Sequence, residues 1–415
     1  MRFSAPRGTE DVLPSKSHAW QRIEAHFRDV TRVYGYQEIR TPVFEDTELF
    51  TRSAGETSEV VTKQMYDFLD KGGRSISLKP ESTAPAMRAI IEHNLCVVGS
   101  SLRVCYVSSP HYRYERPQKG RLREHHQMGL ELVGVESAAA DAEVIEIGFR
   151  FLERIGLGGL VVKINSIGRD ECRARYRDVI LEAATSLFAS KGAEFEETAR
   201  KNPLRLLDSK DPEVQAAMAT VPSILDYLEP ASATRFQELQ TLLKEANLPF
   251  EVSPEIVRGL DYYTETVFEV HSSDLGAQST VMGGGRYDNL ISELGGPKLP
   301  AVGFGSGVER LLLVLETLGK MPSPRVPDVF VVWAPEAQTY AHDLCRHVRA
   351  AGLEALIDLE GRSFKSQFRQ ADKSSAKWVA VLGPDEVSTQ TVSLKDLLTG
   401  EQKTYSFEEA IKCIG

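Results

Sequence analysis

LRVCYVSSPHYRYERPQKGRLREHHQMGLELVG, residues 102–134, falls into three parts: a strand-like run at 102–108, a charged stretch at 113–123 and a second extended run at 128–134. That is two strands joined by a long, basic loop. Between positions 113 and 126 five basic residues (Arg113, Arg116, Lys119, Arg121, Arg123) stand against two acidic ones (Glu115, Glu124). Guanidinium forks meet phosphate oxygens in bidentate geometry, so such a loop can bind a polyphosphate. A solvated hairpin tip has the same composition.

Upstream, Trp20, Ile23, Phe27, Val30 and Tyr34 recur at steps of three and four, one face of a helix that starts near Ser17 and stops at Gly35. Residues 36–41 read as a short strand ending at Pro42, which has no N–H for a ladder. Downstream, a helix is predicted at 141–155, with Ile145, Phe149 and Leu152 on one face and Gly156, Gly158 and Gly159 at its end. Residues 160–167 read as a buried strand. From 169 to 248 the chain turns helical and charged, broken at Asn202-Pro203 and Asp211-Pro212, and reads as an insertion in a larger domain. Strands resume near Phe250 and are predicted at 266–271, 277–282 and 300–304, the last running into a helix from Val308.

KMPSPRVP, residues 320–327, carries three prolines in eight positions and marks a domain boundary. Beyond it come a strand (329–333), a helix (338–351), a strand (355–359), a helix (364–374), a strand (378–382), a hairpin at Thr399-Gly400 and a helix from Phe407. That alternation implies a parallel or mixed sheet covered on both faces.

A chain of 415 residues is long enough for two or three domains, and 42% hydrophobic with 26% charged residues excludes a disordered chain. The charge balance, 49 − 59 = −10, means that any RNA contact must come from local basic patches. Five scattered cysteines fit neither a zinc site nor a disulfide framework and read as reduced. The opening MRFSAPRGTEDVLP lacks a signal-peptide core, and no run reaches the roughly 20 apolar residues that span a bilayer. A cytoplasmic enzyme without membrane contact is the resulting expectation.

Two further stretches carry chemistry. Gly303, Gly305 and Gly307 precede Val308-Glu309-Arg310, so free backbone N–H groups and an arginine would open a helix, as in anion sites; close packing explains the glycines equally well. Arg258-Gly-Leu-Asp261-Tyr262-Tyr263 joins a cation, a carboxylate and two phenols before a strand.

In combination and order these pieces resemble the bacterial-type histidyl-tRNA synthetases over essentially the whole chain. YQEIRTPVF around Pro42 resembles class II motif 1, residues 112–134 motif 2, and AVGFGSGVERLLLVLE at 301–316 motif 3; RGLDYYTETVFEV from Arg258 and GGGRYDNL from Gly283 resemble the signatures of the histidine enzymes. The resemblance implies an α+β class II catalytic domain at 1–325, an antiparallel sheet with flanking helices, with the helical insertion at 169–248, and a C-terminal α/β anticodon-binding domain at 326–415. It implies activation of L-histidine by ATP with Mg2+, transfer to the 3′ end of tRNA(His), and a homodimer.

Carried over residue by residue, the resemblance implies that Glu81, Thr83 and Gln127 hold the substrate α-ammonium. Glu131 and Tyr263 would bond the imidazole nitrogens, with Tyr262 and Tyr287 shaping the pocket. Arg113 and Arg258 would flank the α-phosphate as catalytic cations, Arg310 would hold the γ-phosphate, and Glu115 the adenine amino group, with Arg121 and Arg123 nearby. Arg116, Gln118 and Lys119 would meet the tRNA acceptor end. Arg362, Lys365, Arg369 and Lys373, spaced by three, four and four on one helical face, would meet the anticodon region. His125 stands where the family usually has a phenylalanine stacked on adenine, Lys79 and Ser82 replace an arginine and a glycine beside Glu81, and Leu122 and Glu124 replace a tyrosine and a glutamine. The sequence names no metal ligands. Two rivals share the pattern: the catalytically silent synthetase-like subunit that regulates ATP phosphoribosyltransferase, and a class II synthetase for another amino acid.

Overall fold

The computed structural model describes residues 3–55, 58, 60–118, 120–209, 211–256, 262–275 and 280–415. They divide into two compact units, Met1–Pro322 and Ser323–Gly415.

The first unit opens with α1 (Pro14–Val33), which buries Ile23, Phe27 and Val30 and is followed by Gly35 at φ +80°. Each such buried side chain contributes roughly 1.5–3 kcal/mol. Next come β1 (Gln37–Glu38), β2 (Phe44–Asp46), α2 (Thr47–Ala54), β3 (Tyr66–Leu69), β4 (Ser75–Leu78) and α3 (Thr83–Glu92). Strands β2, β4 and β3 form a small separate sheet that the sequence reading did not foresee. The long hairpin β5 (Leu102–Tyr112) and β6 (Glu124–Val133) leads into α4 (Ala138–Arg154) and β7 (Leu160–Ser166). Helices α5 (Asp170–Lys191), α6 (Ala193–Lys201), α7 (Pro212–Met218) and α8 (Pro230–Glu245) then precede β8 (Phe250–Val252), β9 (Thr264–Ser272), β10 (Thr280–Arg286), α9 (Leu290–Glu293), β11 (Ala301–Gly307) and α10 (Val308–Thr317).

Eight strands form the main sheet in the order β1-β5-β6-β11-β10-β9-β7-β8. The antiparallel sheet expected from the family holds for the six central strands, whereas β1 and β8 pair in parallel at the edges. One face packs on α1, α4, α8 and α10. Against the other lie α3, α9 and the apolar side of α5.

Several strands are longer than expected: β6, read from Met128, begins at Glu124, and β9, read over 266–271, spans Thr264–Ser272. β5 runs past Ser108 to Tyr112 because an extra residue is absorbed as a bulge: the register shifts between Tyr106 and Ser109, and Ser108 takes φ +45°. β10, predicted to end at Met282, continues through Gly283–Gly285, and β11 continues to Gly307. Here the glycines sit inside strands and form no turn. The predicted start of that strand at 277–279 lies outside the described residues.

The second unit holds β12 (Val329–Trp333), α11 (Gln338–Ala350), β13 (Ala355–Ile357), α12 (Phe364–Ser374), β14 (Trp378–Leu382), α13 (Pro384–Thr389), β15 (Thr391–Asp396), β16 (Gln402–Ser406) and α14 (Phe407–Ile414). Its sheet, ordered β13-β12-β14-β15-β16, is parallel at β13, β12 and β14 and antiparallel beyond. Apolar clusters fill both of its faces. The short helix α13 was not foreseen.

Candidate active site

Side chains alternate across a strand, so β6 presents His125, Gln127, Gly129 and Glu131 to one side and His126, Met128, Leu130 and Leu132 to the other. The second set faces the core, where Met128, Leu130 and Leu132 are buried. His126 there accepts an anchor from α10: its backbone N–H and Nδ1 lie 2.9 Å from the Glu309 carboxylate, and its ring meets Trp20 edge-on. The first set builds the site. The bulge in β5 brings Ser109 opposite Gln127 and His111 opposite His125, on that same face, with Arg113 two residues further on.

Glycines clear the floor beside Glu131. Gly303 pairs with Glu131 and Gly285 with Gly303, so the three share one row across the sheet. A Cβ on Gly303 would stand 1.8 Å from Glu131 Oε2, and one on Gly285 would stand 2.8 Å from the Tyr263 ring. Neither distance is compatible with a side chain. The glycine runs therefore make room for the carboxylate and the phenol.

Glu131 is 1% exposed, and three hydroxyls converge on it. Thr83 Oγ1 donates to Oε1 at 2.9 Å, the Tyr106 hydroxyl at 3.3 Å, and the Tyr287 hydroxyl donates to Oε2. Burial nevertheless pushes the carboxyl up to about 8, against the pull of the Tyr287 and Thr83 hydroxyls. Tyr262, Tyr263 and Tyr287 pack ring on ring at 4.7, 5.5 and 6.5 Å between centroids, and burial raises the phenols of Tyr262 and Tyr287 well above their ordinary value. Arg286, next to Tyr287 in the chain, has no solvent exposure. The Arg286 guanidinium donates to Asp141, to Asp288 Oδ1 at 3.0 Å and to the Val135 carbonyl at 3.0 Å.

Glu81 lies one residue before the N-cap Ser82 of α3, and its two oxygens accept from the free N–H groups of Thr83 (2.6 Å) and Ala84 (2.9 Å). Burial raises its carboxyl, opposed by those N–H groups and by Arg113. Arg113 sits between Glu81 and Glu115 in the field of both, donates from Nε to the Pro80 carbonyl at 3.0 Å, and is drawn down by burial. Lys79 is buried, pulled down to about 8 by burial, and donates to Thr41 at 3.3 Å. His125 is held neutral, at about 3, by burial and by the neighbouring Arg113 charge.

In the loop after β5, Arg123 lies over the Tyr114 ring at 4.0 Å and donates to the Glu115 carbonyl, while Gln118 and Arg121 close the tip with reciprocal backbone bonds. Arg116 and Gln118 are exposed. Arg310 occupies the first turn of α10, drawn down by burial and by Arg121. Glu81, Thr83, Arg113, Glu131, Tyr262, Tyr263 and Tyr287 thus converge, with Gln127 and His125 on the same strand face. Arg258 and Lys119 lie outside the described residues.

In the second unit, Lys365, Arg369 and Lys373 are exposed along α12, but Arg362 does not share their face. Ser363 is extended at the N-cap, so Arg362 precedes the helix, where it pairs with Asp358 at 2.9 Å and Glu360 at 2.6 Å. Sequence reasoning missed Tyr106, His111 and the Asp141–Arg286 pair. Tyr106 stood in a strand with no charge to mark it, and Asp141 read as a residue of a helix start.

A histidyl-tRNA synthetase family model matches residues 8–311, and an anticodon-binding-domain model matches residues 328–415. The chain is 46% identical over 416 residues to the histidine–tRNA ligase of Caldanaerobacter subterraneus subsp. tengcongensis, covering all of both chains. It is 47% identical over 411 residues to that of Thermoanaerobacter pseudethanolicus, covering 99% of this chain and 98% of the other. The crystal structure of apo S. aureus histidyl-tRNA synthetase superposes with a TM-score of 0.84 at 32% identity over the full length of both. The chain belongs to the histidyl-tRNA synthetases, class II enzymes that activate histidine with ATP and charge tRNA(His).

Proposed function

We propose that the cavity on the β6 face is where histidine and ATP react, with the residues in the roles that the family resemblance assigns. The observation that carries this reading is the convergence of Glu131, Thr83 and three tyrosine rings over glycines. An imidazole has two polar nitrogens. A buried carboxyl beside a buried phenol satisfies both, and an amino acid lacking them would leave those groups unpaired, which discriminates strongly.

In the first step the histidine carboxylate attacks the α-phosphorus of ATP and pyrophosphate leaves, taking the electron pair of the broken P–O bond. Catalysis is positioning and charge stabilisation, and no protein nucleophile is required. Arg113 and, by the family resemblance, Arg258 neutralise charge at the α-phosphate; Arg310 holds the γ-phosphate; Glu115, Arg121, Arg123 and His125 hold the adenine end. Glu81, Thr83 and Gln127 take the α-ammonium. In the second step the terminal adenosine hydroxyl of tRNA attacks the acyl carbonyl, AMP departs, and the adenylate phosphate takes the proton.

Bound with ATP, magnesium would supply charge neutralisation at the phosphates. Among the described residues no group of three or more His, Cys, Asp or Glu is arranged as a metal site. Arg116, Gln118 and Lys119 meet the acceptor end, and Lys365, Arg369 and Lys373, with Arg362 beside them, meet the anticodon region. We assign catalysis to residues 1–325, with 169–248 an insertion, and anticodon binding to 326–415. Exposed Val43 and Phe44, next to Pro42, support a homodimer interface. No described helix is long and apolar enough to cross a membrane, and the cytoplasm is the proposed location.

The test is pyrophosphate exchange with ATP and each of the twenty amino acids. Histidine alone should support it. Preference for another amino acid would establish a different synthetase, and exchange with none would favour the silent regulatory subunit.

A further inference from the structure

Three positions that depart from the family pattern, Lys79 and Ser82 just before α3 and His125 on β6, surround one buried residue. His111 has no solvent exposure. Its Nε2 lies 2.7 Å from Ser82 Oγ, which in turn is 3.0 Å from Ser109 Oγ. On its other side the ring meets His125, its cross-strand partner, at 5.5 Å between centroids and a 51° tilt. Burial and the Arg113 charge keep both imidazoles neutral, and Lys79 adds its charge at His111. The Nδ1 atoms of His111 and His125 are both buried without a hydrogen-bond partner among the described residues.

Ser82 is no ordinary neighbour. It separates Glu81, whose oxygens cap α3, from Thr83, whose hydroxyl bonds Glu131. Whatever fixes Ser82 fixes the turn that presents both groups. His125 is the ring proposed to lie against adenine. The geometry points to His111 as a positioning residue for both substrates, holding the Glu81–Thr83 turn through Ser82 and the His125 ring through cross-strand contact. This rests on the nucleotide role proposed for His125.

A buried imidazole suits the task because it offers a flat face to one neighbour and a hydrogen-bonding nitrogen to the other. An apolar side chain at 111 keeps neither the Ser82 bond nor the ring contact, and misplacement of a supporting group loosens the site above it. The glutamine side chain keeps a polar end for Ser82 but has no ring for His125.

The experiment measures KM for ATP and for histidine in pyrophosphate exchange for His111→Met, His111→Gln and His125→Ala, with thermal melting as a check on folding. In His111→Met both KM values should rise about three- to tenfold with kcat changed much less. In His111→Gln the KM for histidine should return to within about twofold of wild type while that for ATP stays raised. If the methionine variant does not fold, the glutamine variant decides on its ATP KM alone. Wild-type KM values for both substrates in a folded variant, even with a lowered melting temperature, would overturn the inference and leave His111 a structural residue. His125→Ala separates the two readings: an unmoved KM for ATP there would sink the nucleotide role of His125, while the histidine arm at position 111 is still read on its own.

Discussion

Glu131→Gln is the perturbation that the structure makes most quantitative. Burial holds the Glu131 carboxyl at about 8 instead of 4.5. The difference, 3.5 units at about 1.36 kcal/mol each, amounts to roughly 5 kcal/mol of preference for the neutral form. The sign follows from proton counting. Between pH 4.5 and 8 the unfolded chain has lost this proton and the folded chain keeps it, so the contribution to stability is complete below 4.5 and is lost as pH rises towards 8. Glutamine imitates the neutral carboxyl and cannot ionise. The stability difference between wild type and Glu131→Gln should therefore drift in the mutant's favour from pH 5 to pH 8, by roughly 4 kcal/mol.

The same proton shapes substrate binding. Free histidine holds its imidazole proton below a pKa near 6.5, and the site holds one below about 8. A complex that carries one shared proton between carboxyl and imidazole forms without proton exchange only between those values. The KM for histidine, measured by pyrophosphate exchange at saturating ATP, should be lowest between about pH 6.5 and 8 and rise about tenfold per unit on either side. Glu131→Gln should raise KM throughout and abolish the alkaline limb. Because the α-ammonium of histidine loses its own proton above about pH 9, the decisive range is about pH 8 to 9: a wild-type profile flat there, or a limb retained there in the glutamine variant, would refute the buried neutral carboxyl.

Other substitutions probe separate parts. Gly303→Ala puts a Cβ 1.8 Å from Glu131 Oε2 and 2.4 Å from the Leu130 carbonyl, so exchange with histidine should fall at least about a hundredfold, read as kcat/KM. Arg286→Lys keeps the charge but loses the forked contact with Asp141; it should destabilise the first unit by about 1–3 kcal/mol in denaturant melts and raise the KM for histidine more than that for ATP, because Tyr287 is its neighbour. Replacing Lys365, Arg369 and Lys373 together by glutamine should leave exchange at wild-type rates while weakening tRNA binding, with the salt slope of log K reduced by about 2–3.

How much of this was legible in the chain depends on what the residues advertise. The second unit was read nearly element by element, because its strands are short apolar runs between amphipathic helices and glycine or proline stops. The charged loop at 113–123 announced itself by composition. The glycines misled, since Gly283–Gly285 and Gly303–Gly307 suggest turns in sequence and are strand interiors in space. Their purpose depends on a carboxylate more than 150 positions away in the chain, and no local pattern carries that. Arg362 misled for the opposite reason: its spacing fits a helical face, and only the extended backbone at Ser363 takes it off the helix.

The bulge at Ser108 is the instructive case. Counting by twos from Tyr106, whose hydroxyl reaches Glu131, leads to positions 108, 110 and 112. With one residue absorbed, the site face instead receives 109, 111 and 113. A single backbone residue at φ +45° thereby decides that His111 and Arg113, and not Pro110 and Tyr112, stand beside His125 and Glu81. The sequence shows only two serines and a proline there, a pattern that reads as the end of a strand. Side-chain chemistry at this site is spelled out in the residues, whereas the parity that aims it is set by the pairing of two strands, and parity becomes visible only when both are in place.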